Sequence, residues 1–183
     1  MSIYFSSDFH FGHVNICRGT SRWSDKSGTR PFSSLEEMNE TILENLNSVV
    51  MPDDQLFFLG DFCFGDTTLT PKWRERIKCR DISFIRGNHD QNIDLYRNSF
   101  RWIKDYFEFR HLGKTIVMMH YPIASWNKSH HGSLHLFGHC HGSFRPLGRS
   151  MDVGIDTNNF KPYSFDEIVD KLEKIPLENI GHH

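Results

Sequence analysis

Five short stretches of this chain hold side chains that bind cations or move protons. They are Asp8-Phe9-His10, Gly60-Asp61, Gly87-Asn88-His89-Asp90, His120, and Gly138-His139-Cys140-His141. One such residue carries little weight, because a histidine beside a glycine is usually a turn residue or a satisfied core residue. Five of them at the ends of separate apolar runs point to one place. Burying several carboxylates and imidazoles together without a cation is costly, since unpaired buried charges are strongly disfavoured. A metal site removes that cost. The donor set of imidazole, carboxylate and amide oxygen, without a thiolate, suits Mn, Fe or Zn. In an extended D-x-H or H-x-H stretch alternate side chains share a side, so Asp8 with His10, and His139 with His141, are each expected to face one centre. The glycines before Asp61, Asn88 and His139 allow a tight turn or a close approach to the ions. A carboxylate such as Asp61 can bridge two cations. A pair of cations about 3.5–4 Å apart binds phosphoryl oxygens and lowers the pKa of a bridging water.

The elements that must position these residues are legible from the pattern of apolar runs. Ile3 to Ser7, Gln55 to Leu59, Ile82 to Ile85, Thr115 to Met119 and Leu134 to Phe137 are short, rich in β-branched or aromatic residues and bounded by breakers, as buried strands are. Met151 to Ile155 is a sixth candidate, and Phe107 to Leu112 followed by Gly113-Lys114 predicts a hairpin. Ser34 with Glu37 predicts a capping box opening a helix to about Val50, with Leu35, Met38, Ile42, Leu46 and Val49 on one face and Pro52 beyond its end. Pro71 predicts the start of a shorter helix through Trp73 and Ile77. Ser164 with Glu167 predicts a second capping box before Ile168, Val169 and Leu172. The polar stretch from Arg18 to Pro31 reads as a long surface loop. Alternating strands and helices predict an α/β sandwich with sheets at the centre and helices outside, and ligands in such folds sit beyond the carboxyl ends of the strands.

Composition sets the outer bounds. A chain of 183 residues, 38% hydrophobic and 24% charged, suits one domain, expected over residues 1–181. No apolar run approaches the roughly 18–20 residues that span a bilayer, and the first residues lack a secretory pattern, so a cytoplasmic protein is expected. The net charge of -2 gives no global pull towards nucleic acid or anionic lipid, although a local basic groove remains open. Cys17, Cys63, Cys79 and Cys140 form no C-x-x-C pair and read as reduced thiols. Of the twelve histidines, His182 and His183 read as a tag remnant.

The ordered set D-x-H, G-D, G-N-H-D, a later H and G-H-x-H, running from Asp8 to His141, resembles the calcineurin-like metallophosphoesterase superfamily. The resemblance implies a four-layer α/β/β/α sandwich and two divalent metal ions, with Mn favoured for assays. It implies that Asp8, His10 and His141 hold one metal, that Asn88, His120 and His139 hold the other, and that Asp61 bridges. It makes His89 the histidine that steadies phosphate or protonates the leaving group, and Asp90 the carboxylate that orients His89. The stretch from Asp8 to Ile16, with that from His130 to His139, further resembles a compact branch of small bacterial and phage-type phosphoesterases. One departure stands out: Phe62-Cys63-Phe64-Gly65-Asp66 follows the G-D motif without the arginine of the Ser/Thr protein phosphatases. Arg86 is a candidate substitute.

Other residues stay open at this level. His13 could reach substrate phosphate or be a helix-start residue on the loop edge, and His130 and His131 could line the cleft mouth or only be solvated. His135 reads as a strand-face residue. Cys140 is expected to point away from the metals as a buried, inert thiol, while Cys63 could face the site. Trp126, Tyr121 and Phe11 could stack on a base or belong to the core. The expected function is hydrolysis of a phosphodiester, such as a nucleotide, cyclic nucleotide or nucleic-acid end, by a metal-activated water. The alternatives are a phosphomonoesterase or protein phosphatase, a non-catalytic binding scaffold of the same fold, and metals kept for stability alone.

Overall fold

The structure, a computed structural model, describes residues 1–177, so the expected tag residues His182 and His183 lie outside the described residues. Two sheets lie at its centre. The first has five strands in the order β4-β3-β2-β1-β9: β1 (Ile3–Ser6), β2 (Gln55–Phe58), β3 (Asp81–Ile85), β4 (Trp102–Lys104) and β9 (Tyr163–Ser164). All pair in parallel except β9, which runs antiparallel to β1. The second sheet has the order β5-β6-β7-β8: β5 (Tyr106–His111), β6 (Lys114–Met119), β7 (Leu134–Phe137) and β8 (Ser150–Asp152). The expected hairpin is the antiparallel pair β5 and β6, and β6, β7 and β8 are parallel. Its two linking residues, Leu112 and Gly113, both have positive φ, the turn that matches strand twist.

Strand alternation divides the apolar residues between two cores. Phe5, Phe57, Leu59 and Ile85 face Ile116, Met118, Leu134 and Leu136 between the sheets, with Phe57 stacked on Phe109 at 4.7 Å. Leu56, Phe58, Ile82 and Phe84 point outward to the helix α1 (Leu35–Val49), whose Met38, Ile42 and Leu46 cover them. The start of α1 departs slightly from the expected box. Ser34 Oγ accepts the Glu37 N–H, but the Glu37 carboxylate reaches past Ser34 to accept from the Ser33 N–H at 2.7 Å. The short helix α2 (Thr70–Arg76) carries Pro71 in its first turn as expected. The helix α3 (Phe165–Leu172) begins with a complete capping box between Ser164 and Glu167, and its Phe165, Ile168 and Leu172 join the inter-sheet core. This mixed α/β arrangement of two sheets and helices agrees with the expected sandwich. Among the described residues, no helix is long and apolar enough to cross a membrane.

The outer face of the second sheet is covered by the segment 121–133, which contains one 3-10 turn and Trp126. The Trp126 indole N–H donates to Ser133 O, and its ring lies 5.3 Å from that of His135. Trp126 is thus a covering residue and not a base platform. His135 is fully buried, with Nδ1 on Val117 O and Nε2 accepting the Ile123 N–H. Burial lowers its pKa to about 4. An unfolded histidine titrates near 6.5, so the unfolded chain binds more protons between these values. His135 therefore favours the folded state fully above pH 6.5, and that advantage, on the order of 3 kcal/mol, is lost as pH falls towards 4. Denaturant midpoints measured from pH 7 to 4.5 should fall more steeply for wild type than for His135→Leu. Parallel curves would reject the assignment.

Candidate metal centre

The parallel strands of each sheet deliver their carboxyl ends to a common edge, and the expected ligands sit just past them. Asp8 follows β1, Asp61 follows β2, Asn88 follows β3, His120 follows β6, and His139 with His141 follow β7. Backbone contacts sew these ends together: Asp8 N–H donates to Gly60 O, His10 N–H to Asp61 O, and Gly138 N–H to His120 O. Two glycines are demanded by proximity. A Cβ on Gly87 would fall 2.2 Å from Asp61 Oδ1, and one on Gly138 would fall 2.6 Å from Asp8 Oδ2.

Two groups of ligand atoms result, Asp8 with His10 and His141, and Asp61 with His120 and His139. In the first, His10 Nε2 stands 3.2 Å from His141 Nε2, and Asp8 Oδ1 is 3.9 Å from each. In the second, Asn88 Oδ1 lies 3.0 Å from His120 Nε2 and 2.9 Å from His139 Nδ1. Asp61 stands between them. Its Oδ1 accepts the His89 N–H, which leaves Oδ2 3.6 Å from His10 Nε2 and 3.5 Å from His120 Nε2. The structure thus brings the expected ligand residues together in two groups, with Asp61 between them.

The donor atoms fit cations better than they fit each other. Leu59 O can only accept, so His120 Nδ1 carries the proton that it takes at 2.7 Å, and His120 Nε2 presents a lone pair to the Asn88 oxygen. Burial holds His120 down at about 4 and His10 well below its ordinary value, so protons do not supply the missing positive charge at neutral pH. Burial also pushes Asp8 up to about 7, even though His141 and the Ser7 hydroxyl oppose the shift. His141 differs. Burial works against its charged form, but the Asp156 hydrogen bond and Asp8 outweigh that and raise it. Two divalent ions would satisfy the remaining lone pairs, and a nitrogen and oxygen donor set suits borderline metals.

The backbone at the ligands is not the extended one expected. Asp8, His10, Asp61, His139 and His141 all have left-handed φ, between 48° and 68°. Asp8 and His10 still converge on one group, whereas His139 and His141 part, His139 joining Asp61 and His120 and His141 joining Asp8 and His10. A related correction concerns Cys140, which is half-exposed and not buried. Cys63 is buried, and burial pushes its thiol up to about 12, which leaves no reactive thiolate.

Around the ligands, some expected residues are present and others are engaged elsewhere. The His89 ring stands 5.5 Å from that of His10, and among the described residues it makes no side-chain hydrogen bond. Asp90 does not orient it. The Asp90 carboxylate is buried and accepts the backbone N–H groups of Asp61 (2.6 Å), Gly87 (2.8 Å) and Phe62 (3.0 Å), tying the G-D and G-N-H-D turns together. Arg86 is no phosphate clamp, because its guanidinium is held by Asp94 and Asp105. His13 borders the site, its ring 5.5 Å from that of His10, with Nδ1 spent on the Ile16 N–H. Burial lowers it to about 4, so Nε2 keeps a proton to donate. His130 and His131 lie on the 3-10 turn Ser129–His131 with their rings 4.0 Å apart. Phe11 is core, stacked on Trp73. Tyr121 is at the site, exposed, with its ring 4.7 Å from that of His139.

Two participants were not anticipated, Arg30 and Asp156. Arg30 lies in the stretch read as a surface loop but is only 3% exposed, and its guanidinium donates to both Asp156 oxygens and to the carbonyls of Asp8 and Phe9. Asp156 Oδ2 accepts from His141 Nδ1 at 2.7 Å. Asp156 follows the end of β8 as the other acids follow their strands, and that position was the available signal. Nothing in the local sequence marks Arg30.

Comparison with known proteins agrees with this geometry. The family profile described as calcineurin-like phosphoesterase matches residues 1–156. The chain belongs to the calcineurin-like phosphoesterases. Membership makes it a metal-dependent hydrolase of phosphate esters. This phosphoesterase is 34% identical to an uncharacterised protein of Methanocaldococcus jannaschii over 181 residues, covering 94% of this chain and 92% of that one. It is 26% identical to the Gene 66 protein of Mycobacterium phage L5, covering 98% of both chains. Among solved structures, a protein of unknown function from Aquifex aeolicus matches with a TM-score of 0.70 and 25% identity, covering 93% of this chain and 98% of that one.

Proposed function

We propose that this phosphoesterase hydrolyses a phosphodiester with two divalent cations bound side by side, and that the substrate is a nucleotide, a cyclic nucleotide or a nucleic-acid end. The observation that carries the reading is the placement of Asp61 Oδ2, within 3.6 Å of a ligand nitrogen in each group. Asp8, His10 and His141 would hold one cation, Asn88, His120 and His139 the other, with Asp61 shared. When bound, the pair supplies Lewis acidity, drawing charge from the phosphoryl oxygens and making water a nucleophile at neutral pH.

The chain's own residues supply the rest. The Asp61 Oδ1 contact to the His89 N–H fixes the turn that holds His89 beside the first group. A cavity of about 250 Å³ lined by Phe64, Gly65, His89, Gln91 and Asn92 opens next to that imidazole and can receive the leaving group. His89, whose side chain makes no hydrogen bond among the described residues, is the proton donor to the departing oxygen. A diester is favoured over a monoester by charge. A monoester brings nearly two negative charges at neutral pH, the phosphate-clamping arginine of the protein phosphatases is missing after Asp61, and Arg86, the candidate substitute, is held by Asp94 and Asp105.

Turnover of bis-p-nitrophenyl phosphate against p-nitrophenyl phosphate, with metal-stripped protein reloaded with Mn2+, tests the reading. Diester cleavage should dominate and vanish on stripping; monoester preference would make the protein a phosphatase, and silence on both a scaffold. His89→Asn should slow release of an alkyl alcohol by about 10²-fold or more, yet hardly affect release of p-nitrophenolate, which departs without a proton. Equal slowing of both leaving groups would remove His89 from the acid role.

A further inference from the structure

The first ligand group is assembled from two stretches 131 positions apart, Asp8 to His10 and His141. Arg30 joins them. Its Nη2 and Nη1 donate to the carbonyls of Asp8 (2.6 Å) and Phe9 (2.8 Å), gripping the left-handed turn that aims Asp8 and His10. Its Nε and Nη2 donate at 2.8 Å to the two oxygens of Asp156, which takes the Nδ1 proton of His141 and so turns the His141 Nε2 lone pair towards His10. Each of these contacts ends on a ligand's own backbone, on its neighbour, or on the carboxylate that orients a ligand. The second group is oriented mainly elsewhere: His120 by Leu59 O and Asn88 by its hydrogen bonds to His120 and His139, while one link crosses between the groups, the His139 N–H on both Asp8 oxygens at 3.0 Å.

We propose that Arg30, acting through Asp156 and through the Asp8 and Phe9 carbonyls, is a positioning residue that sets the affinity of the first cation site alone, and so decides whether the protein holds one ion or two. The proposal rests on the two-cation reading above. A staple that served only stability could join any two segments, whereas this fork spans the two halves of one ligand group and bypasses the other. Partners that orient a ligating histidine typically contribute about 10- to 100-fold in metal affinity. Lysine cannot keep the contacts, because its single ammonium lacks the planar fork that serves two carbonyls and a carboxylate together.

The test titrates wild type, Arg30→Lys and Asp156→Asn with Mn2+ until wild type is saturated, removes loose ions by gel filtration and counts the ions retained per chain by elemental analysis. Electron paramagnetic resonance of the same samples reports whether the ions are coupled. Wild type should hold two coupled ions. Each variant should retain one, with the uncoupled six-line spectrum, and its weaker site should lose about 10- to 100-fold in affinity while the other stays unmoved. Two coupled ions in both variants would overturn the proposal. So would a parallel weakening of both sites that tracks the thermal midpoint of the metal-free protein, which is what a merely structural role produces. If Arg30→Lys does not fold, Asp156→Asn decides, since it leaves both carbonyl contacts of Arg30 in place. Fewer than two ions in wild type would overturn the dinuclear reading and this proposal together, whereas two ions in wild type and variants alike would overturn this proposal only.

Discussion

Asp61→Asn should lower kcat/KM for bis-p-nitrophenyl phosphate by about 10³-fold, because the shared carboxylate is what lets two cations act on one phosphoryl group and such charge stabilisation is worth several kcal/mol. The fold should survive. Asparagine tolerates the left-handed backbone that Asp61 adopts, and its amide oxygen can still accept the His89 N–H. Burial raises the Asp61 pKa, so in the metal-free protein the charged carboxylate is a burden that the neutral amide removes. The metal-free variant should therefore melt at or above the wild-type midpoint while its loaded form is nearly inert. A variant within tenfold of wild-type activity would leave the bridging role of Asp61 without support.

Asp90→Ala should be the most destabilising single change at the site. It leaves three buried amides, those of Asp61, Phe62 and Gly87, without an acceptor. Each unsatisfied donor costs about 1–3 kcal/mol. Admitted water recovers part of this, so a net loss of roughly 3–6 kcal/mol is expected, or a thermal midpoint lower by about 10 °C or more for a chain of this size. Asp90→Asn should fall between, because one of its two polar atoms can still accept but the other opposes an N–H. If Asp90 acted instead by orienting the His89 ring, Asp90→Asn would alter the pH profile of turnover and leave the melting midpoint alone.

The candidate ligands are legible because each is announced locally. Asp8, Asp61, Asn88, His120 and His139 all stand within three residues of a strand's end, and strand ends are legible from a handful of residues. The main strands fall within about a residue of where the apolar runs placed them. What was not legible depends on the partner rather than on the segment. Strands β4 and β9 are three and two residues long, too short for alternation to register. Arg30 sits among serines, threonines and charges like any surface arginine, and only Asp156, 126 positions away, reveals its burial. Asp90 was assigned to the wrong partner because its neighbour in sequence is a histidine, whereas a buried carboxylate goes where unpaired amides are most numerous. The extended geometry assumed for D-x-H failed for a similar reason. Alternation is a property of laddered strands, and these ligands lie just beyond the ladder.

The five ligands with left-handed backbone have a consequence for how this site can change. Each L-residue held there costs roughly 1 kcal/mol or more, somewhat less for aspartate, and the sum is comparable with the 5–15 kcal/mol that keeps an ordinary domain folded. Glycine would relax every one of these positions and ligate nothing. Selection for a steadier fold and selection for a loaded centre therefore pull in opposite directions at the same five residues. A lineage released from its substrate should shed these side chains early, and its descendants would be stabler proteins with an empty edge.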